Sequence, residues 1–203
     1  MQLGFTDTEG DAITTGNDSI LGNGGDDTIF GDAGDDTIDA GEGDDVVQGG
    51  SGADSLDGGA DTDTLSYADA SSQVVASLAT GSGQIFGDTG ADTVVNFENL
   101  IGTDFADVLA GDSADNVIEG GDGADALSGG GGNDTLHGQE GNDQLFAQAN
   151  ATTLVATYDG GEGDDTLEAD GALFSLRAST ITDIETLNFG ASDIDVTVEL
   201  TVG

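Results

Sequence analysis

A nine-residue unit recurs through this chain and constrains its fold more than any other feature. It runs six times without a gap from Ile13 to Ser66, as ITTGNDSIL, GNGGDDTIF, GDAGDDTID, AGEGDDVVQ, GGSGADSLD and GGADTDTLS. It returns from Gly102 to Phe146 as GTDFADVLA, GDSADNVIE, GGDGADALS, GGGGNDTLH and GQEGNDQLF, and once more as GGEGDDTLE from Gly160 to Glu168. Each copy approximates G-G-x-G-x-D-x-U-x, where U is a large aliphatic residue. A fixed period of this length marks a stack of identical units, each burying its apolar side chain against its neighbours.

Within a unit, the Gly-dense first six residues read as a turn, because Gly at that density disfavours helix and strand interiors. The last three, x-U-x, read as a very short strand with U pointing inward. Two units then make one coil of strand, turn, strand, turn. The inward set is Ile20, Ile29, Ile38, Val47, Leu56, Leu65, Leu109, Ile118, Leu127, Leu136, Leu145 and Leu167. A flexible acidic tail would need no aliphatic residue at a fixed position, so these twelve argue for a folded solenoid.

Charge decides what the turns can do. The 203 residues carry 42 Asp and Glu against a single Lys or Arg, a formal net charge of −41. The acids cannot pair with basic side chains, and the folded chain would repel itself. Nucleic acid, whose phosphates require Lys and Arg, is excluded as a partner. A multivalent cation is the natural compensating ligand, and hard cations such as calcium take carboxylate and carbonyl oxygens. Cysteine is absent, so no disulfide framework or thiolate site exists. No apolar run reaches the length of a membrane span. No basic n-region followed by an apolar h-region opens the chain.

The fourth position is Gly16, Gly25, Gly34, Gly43, Gly52, Gly123, Gly132, Gly141 and Gly163. A tight loop aiming several carbonyls at one point needs positive φ, which Gly adopts without steric cost. The sixth position is Asp18, Asp27, Asp36, Asp45, Asp54, Asp63, Asp107, Asp125, Asp134, Asp143 and Asp165, with Asn116 as the exception. On these residues the chain resembles the RTX (repeats-in-toxin) family of calcium-binding nonapeptide repeats.

The resemblance implies an all-β fold, a right-handed parallel β-roll or β-solenoid, with two repeat blocks and a C-terminal β capping segment. It implies calcium ions, roughly eight by pairing neighbouring loops along each edge, held between loops two repeats apart by sixth-position carboxylates and Gly-loop carbonyls. Asp18, Asp36 and Asp54 then line one edge of the first block, and Asp27, Asp45 and Asp63 the other. In the second block Asp107, Asp125 and Asp143 share one edge, with Asn116, Asp134 and Asp165 on the other. Phe105, Ala114 and Asp61 replace the fourth Gly, so weak sites are expected there, with Asp63 at a block end.

The expected organisation is an opening segment and first block over 1–66, and an interrupting β segment over 67–101. A second block follows over 102–168 with an insertion at 147–159, and then a cap or export-signal-like segment over 169–203. The family resemblance further implies a secreted or cell-surface bacterial protein, exported by type I secretion and folding on extracellular calcium. The competing reading is a calcium-rigidified structural or adhesive element that self-associates. His137 sits at an outward ninth position with no nucleophile nearby, and Arg177 is expected to pair with a local acid. Nothing in the sequence argues for an enzyme.

Overall fold

The computed structural model describes residues 15–85, 90–147, 155–169 and 179–189. The opening segment to Ala12, Arg177 and the strand-like run Asp195–Leu200 lie outside them. Among the described residues there are nineteen strands and no helix. In chain order the first six are β1 (Ser19–Leu21), β2 (Thr28–Phe30), β3 (Thr37–Glu42), β4 (Val46–Gln48), β5 (Ser55–Ala60) and β6 (Thr64–Ser66). Then come β7 (Val74–Ser77), β8 (Ser82–Ile85), β9 (Asp92–Val95) and β10 (Asn99–Ile101). The remainder are β11 (Val108–Ala110), β12 (Val117–Gly123), β13 (Ala126–Ser128), β14 (Thr135–Gly141), β15 (Gln144–Ala147), β16 (Thr157–Glu162), β17 (Thr166–Ala169), β18 (Thr180–Thr182) and β19 (Thr186–Phe189).

These strands form two sheets. The first has eleven strands, in the order β1-β3-β5-β9-β8-β7-β11-β13-β15-β17-β19, and the second has eight, β18-β16-β14-β12-β10-β6-β4-β2. Successive repeats alternate between the sheets, so the chain coils as a parallel β-solenoid. Register follows the sequence period: Ile20 pairs with Ile38, Ile29 with Val47, and Ile118 with Leu136, each eighteen residues on.

All twelve eighth-position aliphatics are buried, none more than 1% exposed. They fill the space between the two sheets as a single file from each side. Each contributes about 1.5–3 kcal/mol on burial. The core is therefore long and one side chain thick per sheet.

The parallel pattern breaks once. β7 and β8 pair antiparallel, as do β8 and β9. The meander adds two strands to the first sheet between β5 and β11, while in the second sheet β10 alone separates β6 from β12. Tyr67, Val74, Ala76 and Phe97 are buried at this point and join the core. The cause is local: β7 turns back through Leu78–Gly81 before the chain returns beside β5, with the Gly81 N–H donating to the Leu78 carbonyl at 3.2 Å.

The stretch 147–159, read from the sequence as an insertion, contains the start of β16. Thr157 and Tyr158 pair with Thr135 and Leu136, so Tyr158, 2% exposed, fills an eighth-position slot. An aromatic residue in place of the aliphatic hides this coil from the nonapeptide pattern.

Truncating Leu136 to Ala is expected to cost the cation-loaded protein about 2–5 kcal/mol in denaturant unfolding, because a one-residue-thick core cannot close the cavity. Val108→Ala, at an exposed seventh position, should cost under about 1 kcal/mol.

Candidate metal centre

The loops between strands stack along two edges of the solenoid. The first edge carries the loops that lead into the eleven-stranded sheet, the second those that lead into the eight-stranded sheet. Sixth-position acids sit at the inner end of each loop, just before a strand. Asp36, Asp45, Asp54, Asp63, Asp107, Asp125, Asp134, Asp143 and Asp165 are all at most 5% exposed, as is Asn116. Asp18 and Asp27 are only half-buried.

One carboxylate oxygen stitches the coils together. The backbone N–H of Asp18 donates to Asp36 Oδ1 at 2.8 Å, that of Asp36 to Asp54 Oδ1 at 2.9 Å, and that of Asp54 to Asp92 Oδ1 at 3.0 Å. On the second edge Asp27 donates to Asp45 at 2.7 Å, Asp45 to Asp63 at 2.9 Å, and Asp63 to Glu98 Oε2 at 2.8 Å. Later come Asp107 to Asp125 and Asp125 to Asp143, both 2.8 Å, on the first edge, and Asn116 to Asp134 at 3.0 Å on the second.

Asp165 lies on the first edge, not the second. The Asp143 N–H donates to Asp165 Oδ1 at 2.8 Å, and β17 pairs with β15. The coil that contains β16 is four residues longer than the regular eighteen, and it takes the second-edge place that Asp165 was expected to fill.

The other carboxylate oxygen is left over. In Asp36, Asp45, Asp63, Asp125, Asp143 and Asp165, Oδ2 is buried and accepts no hydrogen bond. Such an atom is costly unless something else satisfies it. Beside it lie backbone carbonyls. A Cβ on Gly31 would meet both Asp36 Oδ2 and the Gly49 carbonyl, and one on Gly138 would meet Asp143 Oδ2 and the Gly160 carbonyl. The loop thus leaves a cradle of oxygens that a side chain would fill.

The fourth-position glycines stack in columns: Gly16, Gly34 and Gly52, then Gly123, Gly141 and Gly163, on the first edge, and Gly25, Gly43 and later Gly132 on the second. Gly34 shows why Gly is needed. Its φ is +129°, and the Gly16 carbonyl lies where its Cβ would be. Asp61 holds the same left-handed conformation, with φ of 82°. Its loop thus keeps a left-handed fourth position without the Gly. Nor is Asp63 at an end, since β10 pairs in register with β6 and Glu98 accepts the Asp63 N–H.

Phe105 and Ala114 are not left-handed, and their loops satisfy themselves. Asp107 Oδ2 accepts the Thr103 N–H at 2.6 Å, while Oδ1 accepts the Val74 N–H at 2.7 Å and the Thr103 hydroxyl at 3.0 Å. Asn116 Oδ1 accepts the Asp112 N–H at 2.9 Å, and Nδ2 donates to the Glu98 carbonyl at 2.7 Å. Asp92 is similarly closed, its Oδ2 accepting the Tyr67 hydroxyl at 3.0 Å.

Several participants escape the sequence reading. Asp92 lies in Gly90-Ala91-Asp92-Thr93-Val94, the second half of the nonapeptide, and could have been found by matching half-units. A second ladder runs through the fifth position. The Asp35 N–H donates to Asn17 Oδ1, Asp44 to Asp26, Asn133 to Asp115 and Asp164 to Asn142, at 2.7 to 3.1 Å. Its signal is the Asp or Asn that often precedes the sixth-position acid. Second positions, including Asn23, Asp32 and Gln139, are also left-handed, with φ of 69° to 78°. His137 faces Asp159 at 3.4 Å on the surface.

Among the described residues no three His, Cys, Asp or Glu side chains gather as a metal-binding group. What the loops bring together instead is a buried carboxylate oxygen beside loop carbonyls. All are hard oxygen donors in an irregular, flexible arrangement, which suits calcium rather than a smaller or softer ion. Fold and site together define a cation-binding parallel β-roll. The family model for the RTX calcium-binding nonapeptide repeat matches residues 14–47, 39–69, 101–136, 120–154 and 157–172. The chain belongs to that family, whose repeats bind calcium. Comparison with curated proteins found no match.

Burial pushes Asp36 and Asp63 up to about 6 and Asp125 up to about 7, against the backbone N–H bonds that lower them, with neighbouring carboxylates adding to the rise. Asp45, Asp107, Asp134, Asp143 and Asp165 shift in the same direction, again through burial. A carboxyl raised in the folded state favours folding when protonated, and that contribution fades as pH rises from about 4 through 6–7. Chelated protein should therefore gain β-structure by circular dichroism as pH falls from 7.5 toward ~4.5. Over the same window the calcium midpoint should rise, because protons compete for the ligand oxygens.

Proposed function

We propose that this chain is a calcium-triggered folding module of a protein exported from bacteria by type I secretion, or the whole of such a protein. In this reading the chain leaves the cell unfolded at low calcium and folds outside when calcium fills its loops. The observation that carries it is the set of buried Oδ2 atoms in a chain whose described residues contain no Lys or Arg. With no Lys or Arg among the described residues to neutralise them, these oxygens oppose folding until a divalent ion arrives. Each ion that binds only the folded state adds about 4 kcal/mol at a thousandfold excess over its dissociation constant.

The proposed ligands are the carboxylates of Asp18, Asp27, Asp36, Asp45, Asp54, Asp63, Asp125, Asp134, Asp143 and Asp165. The carbonyls of the Gly loops at 16, 25, 34, 43, 52, 123, 132, 141 and 163 complete the set. Asp107 and Asn116 are left out, because protein groups already occupy their side-chain oxygens. The number of ions is on the order of eight.

A calcium titration followed by circular dichroism and light scattering tests this. In chelator at neutral pH the chain should be largely disordered. Millimolar calcium should produce a cooperative gain of β-structure and compaction, with magnesium a poor substitute. A compact, β-rich protein in chelator would overturn the proposal. Because Asp63 has coil neighbours on both sides, Asp63→Ala should raise the calcium midpoint about as much as Asp36→Ala.

A further inference from the structure

Two short turns outside the nonapeptide pattern share one design. Asn96-Phe97-Glu98-Asn99-Leu100 leads into β10, and Asp183-Ile184-Glu185-Thr186-Leu187 leads into β19. Each links two strands through three residues, Asn96–Glu98 and Asp183–Glu185, where a nonapeptide loop such as 22–27 uses six. Each opens on a left-handed residue, with φ of 57° at Asn96 and 49° at Asp183. Phe97 is buried and Ile184 packs against the core.

The contacts match as well. Glu98 Oε2 accepts the Asp63 N–H at 2.8 Å, and Glu185 Oε2 accepts the Asp165 N–H at 2.6 Å. The Glu98 N–H returns to the Asp63 carbonyl at 3.1 Å, and the Glu185 N–H to the Asp165 carbonyl at 3.2 Å. In both places Glu does what the next Asp does elsewhere. A three-residue turn sets its backbone differently against the loop before it, and the longer side chain bridges the difference.

Independently of these acids, each turn faces an orphaned oxygen. Asp63 and Asp165 are both 0% exposed, and Oδ2 of each accepts no hydrogen bond. A Cβ on Gly58 would meet Asp63 Oδ2 and the Asn96 carbonyl, and one on Gly160 would meet Asp165 Oδ2 and the Asp183 carbonyl. The buried carboxylate, the carbonyl of the left-handed residue and the second Glu oxygen belong to the same pair of stacked loops. Two carboxylates so placed repel one another unless a cation joins them.

We propose that Asp63 with the Asn96–Glu98 turn, and Asp165 with the Asp183–Glu185 turn, each hold a further calcium ion, between a nonapeptide loop and a turn that lacks the repeat. The motif [Asn/Asp]-apolar-Glu-x-Leu is then a terminal half-site that completes a run of repeats. The idea rests on the calcium reading above.

Native mass spectrometry at calcium just sufficient to saturate the wild type counts the ions directly. Glu98→Gln and Glu185→Gln keep an oxygen that accepts the Asp N–H, so the turns should survive while losing the charge. Each variant is expected to carry one calcium fewer than the wild type, and the double variant two fewer. Hydrogen exchange at the Asp63 and Asp165 amides should stay protected in the calcium-loaded variants. Should Glu98→Gln fail to fold, Glu185→Gln, in the last described coil, decides the question alone. Wild-type ion counts in the single and double variants would overturn this inference and leave the nonapeptide sites standing. Absence of bound calcium in the wild type would instead overturn the proposed function.

Discussion

A buried carboxylate with one oxygen spoken for and one left over is the interaction on which this structure depends. Oδ1 of Asp36, Asp45, Asp54, Asp63, Asp125, Asp134, Asp143 and Asp165 receives the backbone N–H of the loop one coil earlier, which sets the register of the stack. Oδ2 remains beside loop carbonyls, buried and without a protein donor in Asp36, Asp45, Asp63, Asp125, Asp143 and Asp165. A chain with one basic side chain cannot supply the missing positive charge from within. The residue that fixes the backbone therefore also creates the demand for a cation, and calcium fits the oxygen set it leaves. Neither role can be removed without disturbing the other.

The middle of the molecule shows the alternative solution. At Asp92, Asp107 and Asn116 the second side-chain group meets a tyrosine hydroxyl, a backbone N–H or a backbone carbonyl. Burial and the nearby Asp92 raise the Tyr67 phenol above its ordinary value, so it stays protonated and remains a donor. These three positions cluster where the β7–β8–β9 meander widens one sheet. There the left-handed fourth position is lost, since Phe105 and Ala114 do not adopt it. At these positions protein groups, not a left-over oxygen, meet the second side-chain group.

The repeat made the coil legible. An aliphatic residue every nine positions demands burial, and all twelve are buried. What escaped notice did so for physical reasons. Tyr158 fills an aliphatic slot, so in the sequence a whole coil looks like an insertion and the repeat count places Asp165 on the wrong edge. Glu98 and Glu185 perform the task of Asp from a shorter turn, so neither composition nor spacing points to them. Asp61 shows the converse. Its identity departs from the pattern, yet a short polar side chain tolerates the left-handed conformation, and the loop keeps its shape.

The fifth- and sixth-position ladders run in opposite directions, and this decides where the stack holds. At the sixth position the earlier coil donates to the later one; at the fifth, the later coil donates to the earlier, as Asp35 does to Asn17. Where both ladders are present each coil supplies what the other lacks, so stability resides in the interfaces rather than in single coils. The fifth-position ladder stops where that residue cannot accept. Ala53 has no side-chain oxygen to offer the coil beyond it, and Ala106 and Ala124 leave the first edge of the later repeats without fifth-position side-chain bonds until Asn142 resumes the pattern. On the second edge both ladders join the Asn116 and Asp134 loops, and the fifth-position bond from the Val155 N–H to Asn133 continues into the next coil. The two edges of one solenoid are thus stitched unequally. Along the first edge between Asp107 and Asp143, the Asp column is the side-chain ladder that remains, and it works beside backbone bonds such as Ala126 N–H to the Asp107 carbonyl at 2.9 Å and the in-register pairing of Gly121 with Gln139.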